Sequence, residues 1–234
     1  MIELVACDMA GTTIDEHGDV YVALARCVEE TGVETTPEAV QEWMGADKVE
    51  AITALIQAGG GAASPGIVAA AFTRFKELLV EFYAANPPVA LDGVEEAFRT
   101  LRGQGVKVAL TTGFSRDVAE PLLASLGWTV AAPGVEAGDP GKVLDAVVCS
   151  DEVPAGRPAP HMIHRAMERT GVQDVRAVIA AGDTVNDLAA ANNAGVVAVG
   201  VLTGKLDREA LAAHPHHHIL DGVKDIPALL SFPN

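Results

Sequence analysis

Basic residues, aromatic residues and cysteines are all scarce in this sequence. Its 234 residues include 16 Lys and Arg against 32 Asp and Glu, which gives a formal net charge of −16. Aromatic residues make up 4%, and no cluster of aromatic and basic side chains is present. Nucleic acids and anionic membrane surfaces bind basic patches. The composition therefore predicts a protein that binds neither, and an anionic substrate would need a local source of positive charge.

The few cysteines and the lack of long apolar runs also limit the class of protein. The three cysteines, Cys7, Cys27 and Cys149, are scattered and odd in number, which is typical of reduced, buried thiols and not of a disulfide framework. No run approaches the roughly 18 consecutive apolar residues of a membrane span. The first residues lack the basic segment of a signal peptide. We therefore expect a cytoplasmic protein.

The region from about residue 17 to 85 has apolar residues at helical spacing only. Thr36-Pro37 has the composition of a helix start, and we expect that helix to continue to Met44-Gly45. A second helix is expected from about Asp47, and a long one from about Ile67 to Tyr83. The sequence predicts an all-helical region.

Strands and helices alternate from Asn86-Pro87-Pro88 onward. This alternation predicts right-handed βαβ units and a parallel sheet with helices on both faces. The apolar opening strand, which ends at Asp8, has to join that sheet. We therefore predict an α/β protein with a doubly wound parallel sheet in a core of residues 1–16 and 86–234. Residues 17–85 form an all-helical cap domain inserted after the first strand.

Polar residues follow several predicted strands, and the carboxyl ends of parallel strands meet at one edge of the sheet. Carboxylates that converge there stay ionised together only with a cation between them, and their oxygens suit Mg²⁺. Threonine hydroxyls, the Gly113 amide and an arginine fit a phosphoryl group. The pattern favours phosphoryl transfer with Asp8 as nucleophile, although a turn or helix cap also explains Asp8. The residues concerned are Asp8, Thr111, Thr112, Gly113, Arg157, Asp183 and Asp187.

Four segments resemble the signature motifs of the haloacid dehalogenase superfamily, in the right order: Asp8-Met9-Ala10-Gly11-Thr12, Thr111-Thr112-Gly113, Arg157, and Gly182-Asp183-Thr184-Val185-Asn186-Asp187. The resemblance implies a Rossmann-like core and a small-molecule substrate. It implies that Asp8 is the nucleophile and that Thr112 and Arg157 hold phosphoryl oxygens. Mg²⁺ would be bound by Asp8, the Ala10 carbonyl, Asp183 and Asp187. Further substrate contacts would come from Gly11, Thr12, Thr111 and Gly113.

Ala10 departs from the usual superfamily pattern, in which a second Asp at this position protonates a leaving alkoxide. Ala10 together with Gly156-Arg157-Pro158 resembles the phosphonatase subfamily, which cleaves carbon–phosphorus bonds. Those enzymes use a cap lysine, in Met-Gly-x-x-Lys, that forms a Schiff base with the substrate aldehyde. Met44-Gly45-Ala46-Asp47-Lys48 matches that motif. The resemblance therefore implies a catalytic Lys48, substrate contacts by Met44 and Gly45, and a homodimer.

Ala51 stands where the subfamily carries a histidine, and this departure keeps other activities open. The main alternative is a phosphatase that acts on a small phosphomonoester. A non-catalytic phosphate-binding protein and a metal-free dehalogenase are the others. Lys48 itself has a simpler interpretation as a solvated helix lysine, and Met44 as a core methionine. Gly200 to Lys205 is similar to a P-loop, but its spacing is one residue short.

Overall fold

The structure is a computed structural model that describes residues 1–131 and 139–230. The chain forms two compact units, which we describe separately. An α/β unit comprises Met1–Asp15 and Val89–Asn234, and a helical unit comprises Glu16–Pro88. Within the described ranges, no helix combines the length and apolar character that a bilayer crossing requires.

Within residues 1–131 and 139–230, ten strands lie in the α/β unit. They are β1 (Leu4–Asp8), β2 (Ile14–Asp15), β3 (Val89–Ala90), β4 (Lys107–Thr112), β5 (Thr129–Val130), β6 (Val143–Leu144), β7 (Ala146–Cys149), β8 (Val178–Gly182), β9 (Val197–Val201) and β10 (His218–Leu220).

The described part of the chain also contains ten α-helices, divided between the two units. The helical unit contains α1 (Asp19–Glu29), α2 (Pro37–Glu42), α3 (Lys48–Ala58) and α4 (Pro65–Ala85). The α/β unit contains α5 (Val94–Gly103), α6 (Arg116–Leu126), α7 (His161–Thr170), α8 (Val185–Ala194), α9 (Arg208–Ala212) and α10 (Ile226–Leu230).

The main sheet has six strands in the order β10-β9-β8-β1-β4-β7, and each neighbouring pair is parallel. The chain moves from β1 outward to β4 and β7 on one side, and then returns to β8, β9 and β10 on the other. The strand order thus reverses beside β1. In open α/β sheets, ligands bind beyond the carboxyl ends of the strands at such a reversal. The predicted doubly wound parallel sheet is confirmed.

Apolar strand residues and two helices form the core below that edge. Every residue of β1 and β8 is buried, as expected for parallel strands covered on both faces. Met162 of α7 and Leu188 of α8 belong to one buried cluster with Leu4 and Val178. Each large apolar side chain buried in this way contributes about 1.5–3 kcal/mol. This packing fixes where β1 and β8 end, and therefore where Asp8 and Asp183 lie.

Three helices of the helical unit, α2, α3 and α4, begin at side-chain caps provided by Thr36, Asp47 and Ser64. Asp47 accepts hydrogen bonds from the amides of Val49 and Glu50, each at 2.9 Å, and so starts α3. The predicted extent of the preceding helix is wrong, because α2 ends at Glu42 and not at Gly45. Gly45 takes a φ of 73°, a left-handed conformation that interrupts a helix and favours glycine. Met44 and Gly45 therefore lie in a turn between α2 and α3.

Candidate active site

Three neighbouring strands bring the predicted core motifs to one edge of the sheet. Asp8 is the last residue of β1 and is in register with Thr111 of β4. On the other side of β1, β8 ends at Gly182, so that Asp183 follows directly. The central position of β1 thus explains why motifs far apart in sequence lie together.

A tight turn after β1 places Ala10, Gly11 and Thr12 above the sheet edge. The amides of Thr13 and Ile14 both donate to the Met9 carbonyl at 2.9 Å. The Thr13 hydroxyl donates to the Asp8 carbonyl at 2.9 Å, which fixes the turn to the strand end. Gly11 has a φ of 81°, which an L side chain rarely adopts.

Asp8, Asp183 and Asp187 form a buried acidic cluster. Each offers a carboxylate oxygen, and these oxygens lie within 4.8 Å of one another. Asp187 is on the first turn of α8, where it pairs with the Thr184 cap: the Thr184 amide donates to Asp187 Oδ2 at 3.1 Å. A Cβ on Gly182 would lie 2.1 Å from Asp187 Cγ. Glycine at position 182 therefore leaves the space that the Asp187 carboxylate occupies.

Arg157 provides the positive charge beside this cluster. Its Nη2 lies 2.8 Å from Asp8 Oδ1, and its Nε lies 2.8 Å from Asp187 Oδ1. Nη2 also donates to the carbonyl and the hydroxyl oxygen of Thr111, both at 2.9 Å. The Arg157 side chain is 3% exposed. One guanidinium thus joins the ends of three elements: β1, β4 and α8.

The electrostatics of the cluster indicate that a cation is needed. Burial raises the pKa of Asp8 to about 7; Arg157 opposes this shift and Asp187 adds to it. Burial, followed by the charges of Asp187 and Asp8, raises the pKa of Asp183 well above its usual range. Burial lowers the pKa of Arg157, but Asp187 and Asp8 outweigh that effect and leave it raised. Three carboxylates with one guanidinium are therefore under-compensated when all are ionised.

The donor set of this cluster fits Mg²⁺. The three groups are buried and offer oxygen atoms only, the ligand type that Mg²⁺ prefers. A divalent ion would also supply the missing positive charge. Within residues 1–131 and 139–230, this is the one group of acidic, His or Cys side chains with such geometry. The histidines near residue 216 are not part of such a group.

The threonines at the end of β4 have different partners. Thr111 accepts from Arg157, as described above. The Thr112 hydroxyl oxygen accepts from the Phe114 amide at 3.1 Å, and the Gly113 carbonyl accepts from the Ser150 hydroxyl at 3.2 Å. The predicted substrate contacts of Thr111, Thr112 and Gly113 stay predictions. For Thr111 the structure adds a role that the sequence did not reveal, the positioning of Arg157.

A segment that the sequence analysis set aside also contacts the site. The Thr203 hydroxyl, just beyond β9, donates to the Gly11 carbonyl at 2.6 Å. A Cβ on Gly204 would lie 1.9 Å from Asp183 Oδ2. The Thr12 hydroxyl donates to Asp183 Oδ1 at 2.8 Å. The sequence could have indicated this contact by position alone, because the segment follows a strand of the same parallel sheet.

Lys48 and Met44 lie in the helical unit. Lys48 is the first residue of α3, and its Nζ donates to the Ala46 carbonyl at 2.8 Å. Lys48 is 3% exposed and Met44 is 4% exposed. The interpretation of Lys48 as a solvated helix lysine is therefore wrong. Its catalytic role, and the substrate contacts of Met44 and Gly45, stay predictions.

Comparisons with known proteins identify relatives in sequence and in fold. The chain is 32% identical to a phosphonoacetaldehyde hydrolase of Bacillus cereus over 220 residues, which cover 87% of this chain and 76% of that protein. Its fold is similar to the crystal structure of a phosphonoacetaldehyde hydrolase-like protein from Oleispira antarctica, with a TM-score of 0.78 and 23% identity over 98% and 91% of the two chains. It is also similar to a predicted phosphoglycolate phosphatase from Haemophilus somnus, with a TM-score of 0.72 and 18% identity over 98% of each chain.

The family model named haloacid dehalogenase-like hydrolase matches residues 2–195. That range contains β1, the helical unit and the acidic cluster with Arg157. The chain belongs to the haloacid dehalogenase-like hydrolases.

Proposed function

We propose that this hydrolase cleaves the carbon–phosphorus bond of a 2-oxo-alkylphosphonate, with phosphonoacetaldehyde as the first candidate. The observation that carries the proposal is the buried Lys48 in a protein that has Ala10 in place of a proton donor. The similarity to a phosphonoacetaldehyde hydrolase of Bacillus cereus supports the same substrate class. We further propose that the helical unit is the cap that carries Lys48.

The first proposed step is attack of the neutral Lys48 amine on the substrate aldehyde; uptake of one proton from solvent and release of one water then give a protonated imine. Burial and the N-terminal end of a helix both disfavour a positive charge, and Lys48 has both surroundings. The imine carbon is next to the carbon that carries phosphorus. It can therefore accept the electron pair of the carbon–phosphorus bond when that bond breaks.

The second proposed step is attack of Asp8 on phosphorus. The new bond joins an Asp8 carboxylate oxygen to phosphorus, and the electron pair of the carbon–phosphorus bond moves into an enamine on Lys48. Because carbon leaves as an enamine, no alkoxide needs a proton, and Ala10 is sufficient at its position. Mg²⁺, held by Asp8, Ala10, Asp183 and Asp187, would stabilise negative charge on the phosphoryl oxygens. Arg157 holds the Asp8 carboxylate in place through the 2.8 Å ion pair.

Both intermediates then return to free enzyme. Protonation of the enamine at carbon followed by hydrolysis releases acetaldehyde and the Lys48 amine. Water hydrolyses the aspartyl-phosphate and releases inorganic phosphate. The net reaction consumes one phosphonate and one water.

Borohydride trapping tests the imine. We expect phosphonoacetaldehyde with borohydride to inactivate the enzyme and to modify Lys48, as read by peptide mass spectrometry. The wild type should carry an ethyl group on Lys48, because cleavage precedes reduction. Asp8→Asn should carry a phosphonoethyl group, because the imine forms but phosphorus is not attacked. Its rate of phosphate release should fall by roughly 10⁴-fold or more.

The matched control is Lys76→Arg in the same unit, where Lys76 lies 5.0 Å from the Phe72 ring centroid. This variant should be modified at Lys48 as the wild type is, whereas Lys48→Arg should not be modified and should release no phosphate from the phosphonate. Modification spread over several lysines, or equal phosphate release by Lys48→Arg, would contradict the imine mechanism.

A phosphomonoesterase is the second candidate. The observation that favours it is Ala51 of α3, a fully buried residue without a titratable group, at the position where the phosphonatase subfamily carries a histidine. The substrate would then have to protonate its own leaving group. In that case small phosphate esters would be hydrolysed equally by the wild type and Lys48→Arg, and phosphonoacetaldehyde would not be cleaved.

A further inference from the structure

The segment after β9 lies against the acidic cluster at two points. The Thr203 hydroxyl donates to the Gly11 carbonyl at 2.6 Å, and so joins this segment to the turn after β1. One residue later, the Gly204 backbone lies so close to Asp183 that a Cβ would be 1.9 Å from Oδ2, 2.6 Å from Cγ and 2.7 Å from the Asp183 Cβ. Neither residue belongs to a motif that predicted the site.

Asp183 is enclosed by backbone on two sides. A Cβ on Gly11 would lie 2.7 Å from Asp183 Oδ2, so two glycines border the same oxygen. The other oxygen, Oδ1, accepts from the Thr12 hydroxyl at 2.8 Å. The carboxylate rotamer is therefore fixed by its neighbours, and the Thr203 hydrogen bond holds these neighbours together.

We propose that Thr203 and Gly204 are positioning residues for the cation site, because they fix the Asp183 carboxylate and the Gly11 turn in one arrangement. This inference rests on the proposal that the acidic cluster binds Mg²⁺. Groups that orient a metal ligand without touching the metal commonly change its affinity by about 10–100-fold when they are replaced. Thr203 and Gly204 would set the affinity for Mg²⁺ and leave the reaction at phosphorus to Asp8.

Gly204→Ala is a clean steric test. The φ of Gly204 lies outside the left-handed region, so alanine meets no backbone strain there, and the added methyl group acts only through space. Either the Asp183 carboxylate rotates or the segment moves away from the turn. We expect the Kd for Mg²⁺, measured by isothermal titration calorimetry on the substrate-free protein, to rise by about 10–100-fold.

Thr203→Val and Thr203→Ser test the hydrogen bond. Valine keeps the shape of threonine but lacks the donor, so the Kd for Mg²⁺ should rise by about 10-fold. Serine keeps the hydroxyl, and its Kd should be close to that of the wild type. Gly103→Ala is the matched control, since a Cβ there meets nothing within 4 Å. It should bind Mg²⁺ as the wild type does.

The dependence of phosphate release on Mg²⁺ concentration distinguishes a loss of ligand positioning from a general loss of folded, active enzyme. At saturating Mg²⁺, phosphate release by Gly204→Ala and Thr203→Val should recover, so that the half-saturating Mg²⁺ concentration changes and kcat changes little. Wild-type affinity in both variants, even with lower stability in EDTA, would overturn the inference. An absence of Mg²⁺ binding by the wild type would overturn the proposed cation site as well.

Discussion

Each unit contains a buried ionisable centre, and the two centres differ in the sequence separation of the contacts that surround them. In the α/β unit, Arg157 bonds Thr111, and Thr12 bonds Asp183, across sequence separations of 46 and 171 residues. In the helical unit, Lys48 donates to Ala46, two residues away, and follows directly after the Asp47 cap. The acidic cluster is thus held by tertiary contacts, whereas these two contacts at Lys48 are local and lie within one turn and one helix start.

The two centres therefore require different parts of the fold to keep their geometry. The arrangement of Asp8, Asp183 and Arg157 requires the sheet, its crossovers and the loops after four strands. The position of Lys48 requires Gly45 in its left-handed conformation and the Asp47 cap. Attack at phosphorus therefore depends on the whole α/β fold, while the short segment that contains Gly45 and Asp47 contributes to the proposed leaving-group chemistry. Three predictions follow from this contrast, in order of decreasing effect on the free energy of unfolding.

Arg157→Met should have the largest effect, because it removes the guanidinium that pairs with both Asp8 and Asp187 in the acidic cluster. We expect the free energy of unfolding in EDTA at pH 7 to fall by about 3–5 kcal/mol, the usual cost of leaving a buried charge without its partner. Mg²⁺ should restore part of this loss, since it binds only the folded cluster. Urea unfolding followed by circular dichroism measures both values.

Arg116→Met is the control for Arg157→Met. Arg116 also pairs with two acids, Glu120 and Glu152, but its side chain is 38% exposed. Its loss should cost about 1 kcal/mol or less and should not respond to Mg²⁺. Equal losses in the two variants, or no recovery of Arg157→Met with Mg²⁺, would show that Arg157 is not the compensating charge of the cation site.

The acidic cluster was largely predictable because its signals are local. Short apolar runs followed by Asp8, Thr111 and Asp183 identify the carboxyl ends of buried strands, and a parallel sheet brings these ends together. The apolar runs at residues 146–149 and 196–201 also predict strands, and β7 and β9 match these ranges within one residue. The ion pair of Arg157 with both Asp8 and Asp187 was not predictable, since it depends on where a loop crosses the sheet edge.

The sequence did not predict structural features that lack a hydrophobic periodicity. The two-residue strands β2 and β3 pair with each other, but two residues show no alternation that a pattern could detect. The end of α2 was placed too late, since the apolar spacing continues past Glu42 while Gly45 ends the helix by its conformation. Thr203 and Gly204 were considered only as part of a phosphate-binding motif. Their contact with Asp183 is tertiary, and the local sequence indicated only that this segment follows a strand of the same sheet.

The pH dependence of stability should show the strain in the acidic cluster. Asp8 has a pKa of about 7 in the folded protein, raised from 3.8 mainly by burial. A raised carboxyl pKa stabilises the fold below the unfolded pKa, and this contribution is lost as the pH rises through the folded pKa. In EDTA, the free energy of unfolding should therefore fall by about 2–4 kcal/mol more in the wild type than in Asp8→Asn between pH 4 and pH 8.

Chemical unfolding at several pH values measures this difference. Glu38→Gln, which removes an exposed carboxylate from the helical unit, should follow the wild-type profile. With saturating Mg²⁺ the wild-type decline should shrink, because the ion compensates the ionised cluster. A wild-type profile parallel to that of Asp8→Asn would mean that Asp8 is not under electrostatic strain.

Asp47→Ala should have the smallest effect on stability and should act on the other centre. Loss of the cap that accepts from Val49 and Glu50 costs about 1 kcal/mol. The start of α3 should fray, so borohydride trapping at Lys48 should slow while the Kd for Mg²⁺ stays unchanged. Thr36→Ala removes a comparable cap, which accepts from Ala39 at 3.2 Å at the start of α2, and should cost similar stability without slowing the trapping. If both variants slow the trapping equally, the position of Lys48 depends on the helical unit as a whole, and the contrast between a local and a tertiary centre does not hold.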